Sequence, residues 1–284
     1  MTSPNTMMTT APVHLATASQ MSALKARLKA AWMAGDYDYF SRFMEQSAVE
    51  FLERIPIPAG SALLDVACGS GQLALAAARN GIRATGVDIA TNSIQAARMR
   101  VVYEGPAARF DEGDVEDLPY ADASFDAVAT LFGAMFAPRP ELAASEMMRV
   151  VKPGGLIAMA NWTAQGFIGK MFKVISRFIE PPGMPSPLLW GDEEKVRERF
   201  GRGVKDLRMT RVSYTFDYPF PPSEVVEFFR QYYGPANLGF ASLDECKQEA
   251  LRAELEMLWS SHNLAGDDST VVRSEYLEVV ARRA

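Results

Sequence analysis

Short apolar runs alternate with longer stretches of helical period through the middle of the chain. Residues 62–66 (ALLDV) form an apolar run typical of a strand that is buried on both faces. The predicted strands are 62–66, 83–87, 109–112, 125–131 and 156–161, and the helices predicted between them are 72–79, 93–102 and 141–150. Strands that alternate with helices predict right-handed crossovers and a mostly parallel sheet.

The flanks of this region have a different pattern. Two helices are predicted before it, over 22–34 and 37–54, and the Thr-, Ser- and Pro-rich residues 1–20 predict a disordered tail. After residue 162 the alternation stops. The elements predicted there are helices 192–200 (N-capped by Asp192), 223–232 and 243–259, and strands 207–218 and 271–280. We therefore expect an α/β, Rossmann-like fold: a seven-stranded, mostly parallel sheet with helices on both faces, N-terminal helices and a helical cap inserted after strand five.

Composition narrows the classes of function. The 284 residues are 48% hydrophobic, which supplies a full core, and carry a net charge of −6, which disfavours a nucleic-acid partner. Two cysteines and the absence of a Cys/His cluster predict neither a disulfide framework nor a metal site. No apolar run reaches the roughly 20 residues of a membrane span, and no secretory signal begins the chain. We expect a cytoplasmic protein.

The strongest chemical signal is a glycine loop after the first predicted strand. Gly69 and Gly71 allow a tight turn and the close approach of a ligand to the backbone at the start of a helix. Such a loop also occurs as a simple turn. Asp88, at the end of the second strand, strengthens the signal, because a carboxylate there can accept both hydroxyls of a ribose; taken alone, it is equally an N-cap.

The loop by itself fits two nucleoside ligands. With Ala74 as its last small residue, the pattern is compatible with a dinucleotide such as NAD. Asp65, four residues before Gly69, favours the other ligand, because its carboxylate would repel a pyrophosphate and suit the ammonium group of a methionine moiety.

Five segments resemble the motifs of class I methyltransferases that use S-adenosylmethionine (SAM). They are 65–71 (DVACGSG), 86–90 (GVDIA), 113–119 (GDVEDLP), 124–128 (SFDAV) and 149–155 (RVVKPGG), in the order and spacing of that family. The branch that the chain resembles most is the small-molecule type of ubiquinone and menaquinone biosynthesis. One departure is Ala67, which stands where the family's first glycine is expected.

The resemblance implies a role for each matching residue. Asp65, Ala67, Gly69 and Gly71 would hold the methionine part of SAM, and Asp88 would hold the ribose. The remaining implied contacts are Ile89, Asp114 and Val115 with the adenine, and Leu131 and Phe132 with the sulfonium. After transfer the product is S-adenosylhomocysteine (SAH).

The acceptor site is harder to predict. Transfer from a sulfonium is an in-line displacement that depends on alignment, and no general base is identifiable, since His14 and His262 fall in polar surroundings. Residues 130–133 (TLFG) differ from the Asn/Asp-Pro-Pro-Tyr loop of base-methylating enzymes, which disfavours DNA. We expect a small-molecule acceptor in an apolar pocket. The candidates for its wall are Tyr39, Met135, Phe136 and Trp162, with Trp32 and Tyr37 in a lid; each could also be a plain core residue.

These inferences divide residues 21–284, a single domain, into a helical lid (21–58), a cofactor-binding core (61–162) and substrate-side cap segments (163–206 and 220–265). The predicted activity is methyl transfer from SAM to a small molecule. Two alternatives are an NAD-dependent oxidoreductase and a non-catalytic SAM-binding protein of the same fold. The sequence leaves the acceptor atom and the oligomeric state open.

Overall fold

Seven strands form one sheet in the order β3-β2-β1-β4-β5-β7-β6 in a computed structural model that describes residues 17–284. The strands are β1 (Ala62–Val66), β2 (Arg83–Asp88), β3 (Arg109–Glu112), β4 (Phe125–Leu131), β5 (Val151–Trp162), β6 (Val204–Tyr218) and β7 (Thr270–Arg283). β1 to β5 pair in parallel, and β7 is antiparallel to both β5 and β6. The predicted fold class is confirmed.

Helices pack against this sheet. They are α1 (Ala18–Met33), α2 (Tyr37–Ser41), α3 (Glu45–Arg54), α4 (Gln72–Arg79), α5 (Thr91–Glu104), α6 (Pro140–Val150), α7 (Phe167–Ile175), α8 (Glu193–Phe200), α9 (Pro222–Tyr232), α10 (Gly234–Ala241) and α11 (Glu245–His262). Asp192 caps α8 through the backbone N–H groups of Glu194 and Lys195, as predicted. The pattern did not predict α7 or α10.

Two predictions for the N-terminal region were wrong in their bounds. Residues 18–20, predicted as part of a disordered tail, belong to α1, because Thr17 and Gln20 form a capping box; residues 1–16 lie outside the described part. The helix predicted over 37–54 is divided into α2, a 3₁₀ turn (Arg42–Met44) and α3. The Ser41 hydroxyl donates to the Asp38 carbonyl at 3.0 Å, a local bond that competes with regular helix.

The site is positioned by the order of the strands. β1 lies between β2 and β4. The chain first adds β2 and β3 on one side of β1 and then returns to add β4 and β5 on the other side. In sheets of this kind a crevice opens at the carboxyl ends of the strands at that switch point. β1 is fully buried from Leu63 onward, and the alanine-rich α4 packs closely on it, which holds the following loop rigidly at the crevice.

Candidate active site

The loop between β1 and α4 adopts a backbone that only small residues tolerate. Gly69 and Gly71 have φ of 54° and 90°, and Ala67 has φ of 53°. A Cβ atom on Gly69 would lie 2.6 Å from Cε1 of Tyr37, and one on Gly133 would lie 2.3 Å from the Ala67 carbonyl oxygen. The loop is thus enclosed on two sides, with one face left to a ligand.

Asp88 faces this loop from the end of β2. Its Oδ2 accepts a hydrogen bond from the Gly69 N–H at 2.9 Å, and its Oδ1 accepts one from the Ala90 N–H at 2.8 Å. Burial raises the pKa of Asp88, and the backbone N–H groups partly oppose that shift. Each carboxylate oxygen has a further lone pair, so the side chain can accept two more hydrogen bonds from a ligand.

A cavity of about 90 Å³ opens beside Asp88. It is lined by most of the residues predicted to hold the cofactor: Ala67, Gly69, Asp88, Ile89, Asp114, Val115 and Phe132. The other walls come from α1 and from the loop after β4, with Lys25, Leu28, Trp32, Tyr37, Ala90, Ser93, Gly113, Gly133, Phe136, Ala137 and Pro138. The residues that the motifs singled out therefore converge on one concave surface.

Three predicted cofactor residues do not line this cavity. Asp65 is buried, and its Oδ2 accepts a hydrogen bond from the Ala74 N–H at 3.0 Å, so it caps the first turn of α4. Burial raises its pKa to about 8. Gly71 is the N-cap residue of α4, and Leu131 ends β4.

Helix α1 supplies one wall of the cavity. Lys25 lines it together with Leu28 and Trp32. Its Nζ lies 2.5 Å from Oδ2 of Asp114 and 2.5 Å from Oε2 of Glu116. The signal for this contact was the spacing of Lys25, Leu28 and Trp32, which puts them on one helix face.

A second cavity, of about 50 Å³, adjoins the first. Trp32, Tyr37, Phe132 and Phe136 line both cavities. The second is completed by Phe40, Met44, Trp162, Ile168, Met171, Phe172, Phe216, Phe229 and Tyr233. We call it the aromatic chamber. The rings of Phe132 and Trp162 stack in it at 3.8 Å with an interplanar angle of 5°.

The predicted acceptor residues are divided between the chamber and other places. Phe136 and Trp162 line it, as does Tyr37 from the predicted lid. Met135 is buried and reaches neither cavity. Tyr39 is 42% exposed and packs on Tyr232 outside both. Sequence reasoning missed Phe40, Met44, Ile168, Met171, Phe172, Phe216, Phe229 and Tyr233.

Comparisons with known proteins now bear on this geometry. Residues 64–159 match the family model described as a methyltransferase domain. Over 257 residues the chain is 33% identical to the uncharacterized protein Rv1403c of Mycobacterium tuberculosis, covering 89% of this chain and 92% of that one. It is 30% identical over 178 residues to the 27-O-demethylrifamycin SV methyltransferase of Amycolatopsis mediterranei, covering 60% of this chain and 58% of the relative.

A solved structure shares the fold. The phosphoethanolamine N-methyltransferase 2 of Haemonchus contortus, crystallised with SAH, superposes with a TM-score of 0.55 at 21% identity, over 84% of this chain and 52% of that one. The chain belongs to the class I SAM-dependent methyltransferases, and it is an enzyme that transfers a methyl group from SAM. This confirms the predicted methyl transfer and the predicted cofactor, SAM, over the NAD alternative. The comparisons do not specify the acceptor or the branch.

Two further features are absent from residues 17–284. None of the helices there is long and apolar enough to cross a membrane. Within the same residues, no group of three or more His, Cys, Asp and Glu side chains is arranged to hold a metal ion.

Proposed function

We propose that SAM binds in the cavity beside Asp88 and that its methyl group points into the aromatic chamber. Asp88 would accept the ribose hydroxyls, Ile89, Asp114 and Val115 would contact the adenine, and the loop from Ala67 to Gly71 would hold the methionine part. The observation that carries this proposal is the Asp88 carboxylate, fixed by two backbone N–H groups and still able to accept from a ligand.

The acceptor, in this proposal, is a small and largely apolar molecule in the chamber. Its walls are aromatic and aliphatic, which favours an apolar ligand. The relative named for 27-O-demethylrifamycin SV supports a small-molecule acceptor. The net charge of −6 and the TLFG loop at 130–133 do not favour nucleic acid. We also propose that the protein is cytoplasmic.

SAM supplies an electrophilic methyl group on a positively charged sulfur. The protein's own contribution is alignment and the exclusion of water. Phe132, Trp32 and Tyr37 lie between the two cavities, where their ring faces would attract a sulfonium by cation–π interaction. The stacked Trp162 fixes the ring of Phe132 and so the line of approach.

We further propose that residues 21–58 act as a lid, and that 163–206 and 220–265 form the substrate-side cap. Lys25 in α1 pairs with Asp114 across the mouth of the cofactor cavity. Nearer its C-terminal end, α1 meets α10. A lid held at these two places would exclude water from the reaction.

Titration calorimetry tests the cofactor site. We expect micromolar binding of SAH and none of NAD; NAD binding without SAH binding would overturn the proposal. Release of SAH from SAM in the presence of a small-molecule metabolite pool tests turnover. SAH binding without its release from SAM for any acceptor in the pool would refute the proposed small-molecule acceptor.

A further inference from the structure

Two tyrosine hydroxyls in the aromatic chamber have no hydrogen-bond partner among residues 17–284. They belong to Tyr37 and Tyr233, whose rings both line the chamber. Tyr37 lies over the glycine loop, where its Cζ is 3.6 Å from the position that a Cβ of Gly69 would take. Trp32 packs between them, with its ring centroid 6.0 Å from that of Tyr37 and 5.7 Å from that of Tyr233. Both tyrosine rings therefore border the space next to the cofactor cavity.

The chamber can donate hydrogen bonds but can hardly accept a proton. No carboxylate, histidine or lysine is among its lining residues in the described part of the chain. Burial is the main cause that raises the pKa of Tyr37, with Asp88 second, and burial and then Tyr37 raise that of Tyr233. At neutral pH both tyrosines keep their protons and act as donors.

We propose that the reacting atom of the acceptor is the oxygen of an acidic hydroxyl, phenolic or enolic, bound as an oxyanion by Tyr37 and Tyr233. The proposal rests on the proposed SAM site, because it places this oxygen beside the methyl group. Two donors suit an oxyanion, which has three lone pairs: two accept from the tyrosines and one attacks. A neutral amine has a single lone pair, and a donor bound to it would block the attack.

The charge balance of the reaction agrees with this choice. The hydroxyl gives its proton to solvent before or during binding, so no side chain is needed as a base. The oxygen then forms a bond to the methyl carbon, the carbon–sulfur bond breaks, and its electron pair stays on sulfur. An anion and a sulfonium become two neutral molecules. A chamber that excludes water favours this step, because it removes the hydration that stabilises the charged reactants relative to the neutral products.

An aliphatic hydroxyl fits the chamber less well. Its proton is far too weakly acidic to be lost to neutral water, and the lining offers no group to remove it. The chamber thus favours phenolic and enolic oxygens over aliphatic hydroxyls, and oxygen over nitrogen.

Spectrophotometric titration of 4-nitrophenol on the SAH-loaded protein tests the proposal, because the ionised form absorbs visible light. SAH lacks the sulfonium charge, so any fall in the pKa of the bound phenol reports on the protein. We expect a fall of about one unit or more. Tyr233→Phe should reverse much of it and weaken phenolate binding about tenfold. Tyr232→Phe, one residue away and outside the chamber, is the matched control.

Turnover gives a second readout on the same protein. With SAM, 1-naphthol should release SAH at a rate that rises with pH up to the pKa of the bound phenol, while 1-naphthylamine, of the same shape, should release little. Faster methylation of the amine, or tight binding of nitrophenol in its neutral form, would overturn the proposal. So would a failure of both phenols to bind protein that calorimetry shows to be loaded with SAH. Failure of SAH itself to bind would instead refute the cofactor site.

Discussion

Replacing Asp88 by asparagine should separate the two roles of this carboxylate. In the folded protein its two oxygens accept from Gly69 and Ala90 at 2.9 and 2.8 Å. Asparagine keeps the shape but has one accepting oxygen and one donating NH₂ group. One of the two backbone bonds must therefore be lost, and one ribose hydroxyl must lose its acceptor.

The size of each effect follows from these bonds. A hydrogen bond to a charged group contributes about 1.5–3 kcal/mol. The free energy of unfolding should fall by less than the contribution of one such bond, because the variant no longer buries a charge. The cost of burying that charge is seen in the raised pKa of Asp88. The ligand loses one charge-assisted bond outright and a weaker one remains. The expected loss is about 3 kcal/mol, which raises the Kd for SAH on the order of 100-fold.

Calorimetry with SAH and thermal unfolding without ligand measure the two effects independently. Asp122→Asn is the control, since the Asp122 carboxylate is 76% exposed, pairs with Arg149 and does not line the cavity. A folded D88N protein whose Kd for SAH stays within about threefold of the wild type would refute the ribose assignment.

Three further predictions follow from the same region. Gly69→Ala should weaken SAH binding more than tenfold in calorimetry, with the fold preserved in circular dichroism. The reason is that φ of Gly69 is 54° and the new Cβ would meet Tyr37 at 2.6 Å. Unchanged affinity would contradict the role of this loop in holding the ligand. Lys25→Ala should speed SAH dissociation up to about fivefold in stopped-flow traces at low salt, since Lys25 pairs with Asp114; equal rates would argue against a lid. The pKa of Asp65 is about 8 in the folded, cofactor-free protein and 3.8 when unfolded. Between these values the folded protein holds a proton that the unfolded chain has lost. The contribution of Asp65 to stability is therefore present at low pH and is lost as pH rises from 3.8 to about 8. Asp65→Asn should flatten that dependence in thermal unfolding at pH 5 to 8; an unchanged slope would contradict it.

The cofactor half of the site could be predicted because its signals are local. Gly69 lies between a buried strand and a helix, and Asp88 ends the next strand. In a parallel sheet the carboxyl ends of neighbouring strands meet at one edge, so order along the chain nearly determines the position of these residues. The motif from 113 to 119 places Asp114 by the same rule.

The acceptor half could not be predicted, because its residues are distant in sequence and carry no distinguishing pattern. Met44, Trp162 and Phe229 come together only through the docking of α9 and the end of β5. An aromatic residue that faces a chamber has the same helical spacing as one that faces a core. The prediction chose Tyr39 over its neighbour Phe40, and one step around a short helix separates an exposed ring from a buried one.

The two cavities depend on the same N-terminal helix. Trp32 lines both, and the segment that follows it is joined to the C-terminal cap: Gly35 bridges to Tyr233, and the Asp36 N–H donates to the Tyr232 carbonyl at 3.1 Å. This junction has no spare room, since a Cβ on Gly234 would lie 2.0 Å from the Ala31 carbonyl oxygen. A shift of α1 that opens the cofactor cavity must therefore also disturb Tyr233. The wall of the aromatic chamber is complete only when α1 is docked, because Trp32 is part of it. The motifs that predict SAM binding therefore do not determine the shape of the acceptor site, which depends on α1 and on the C-terminal cap.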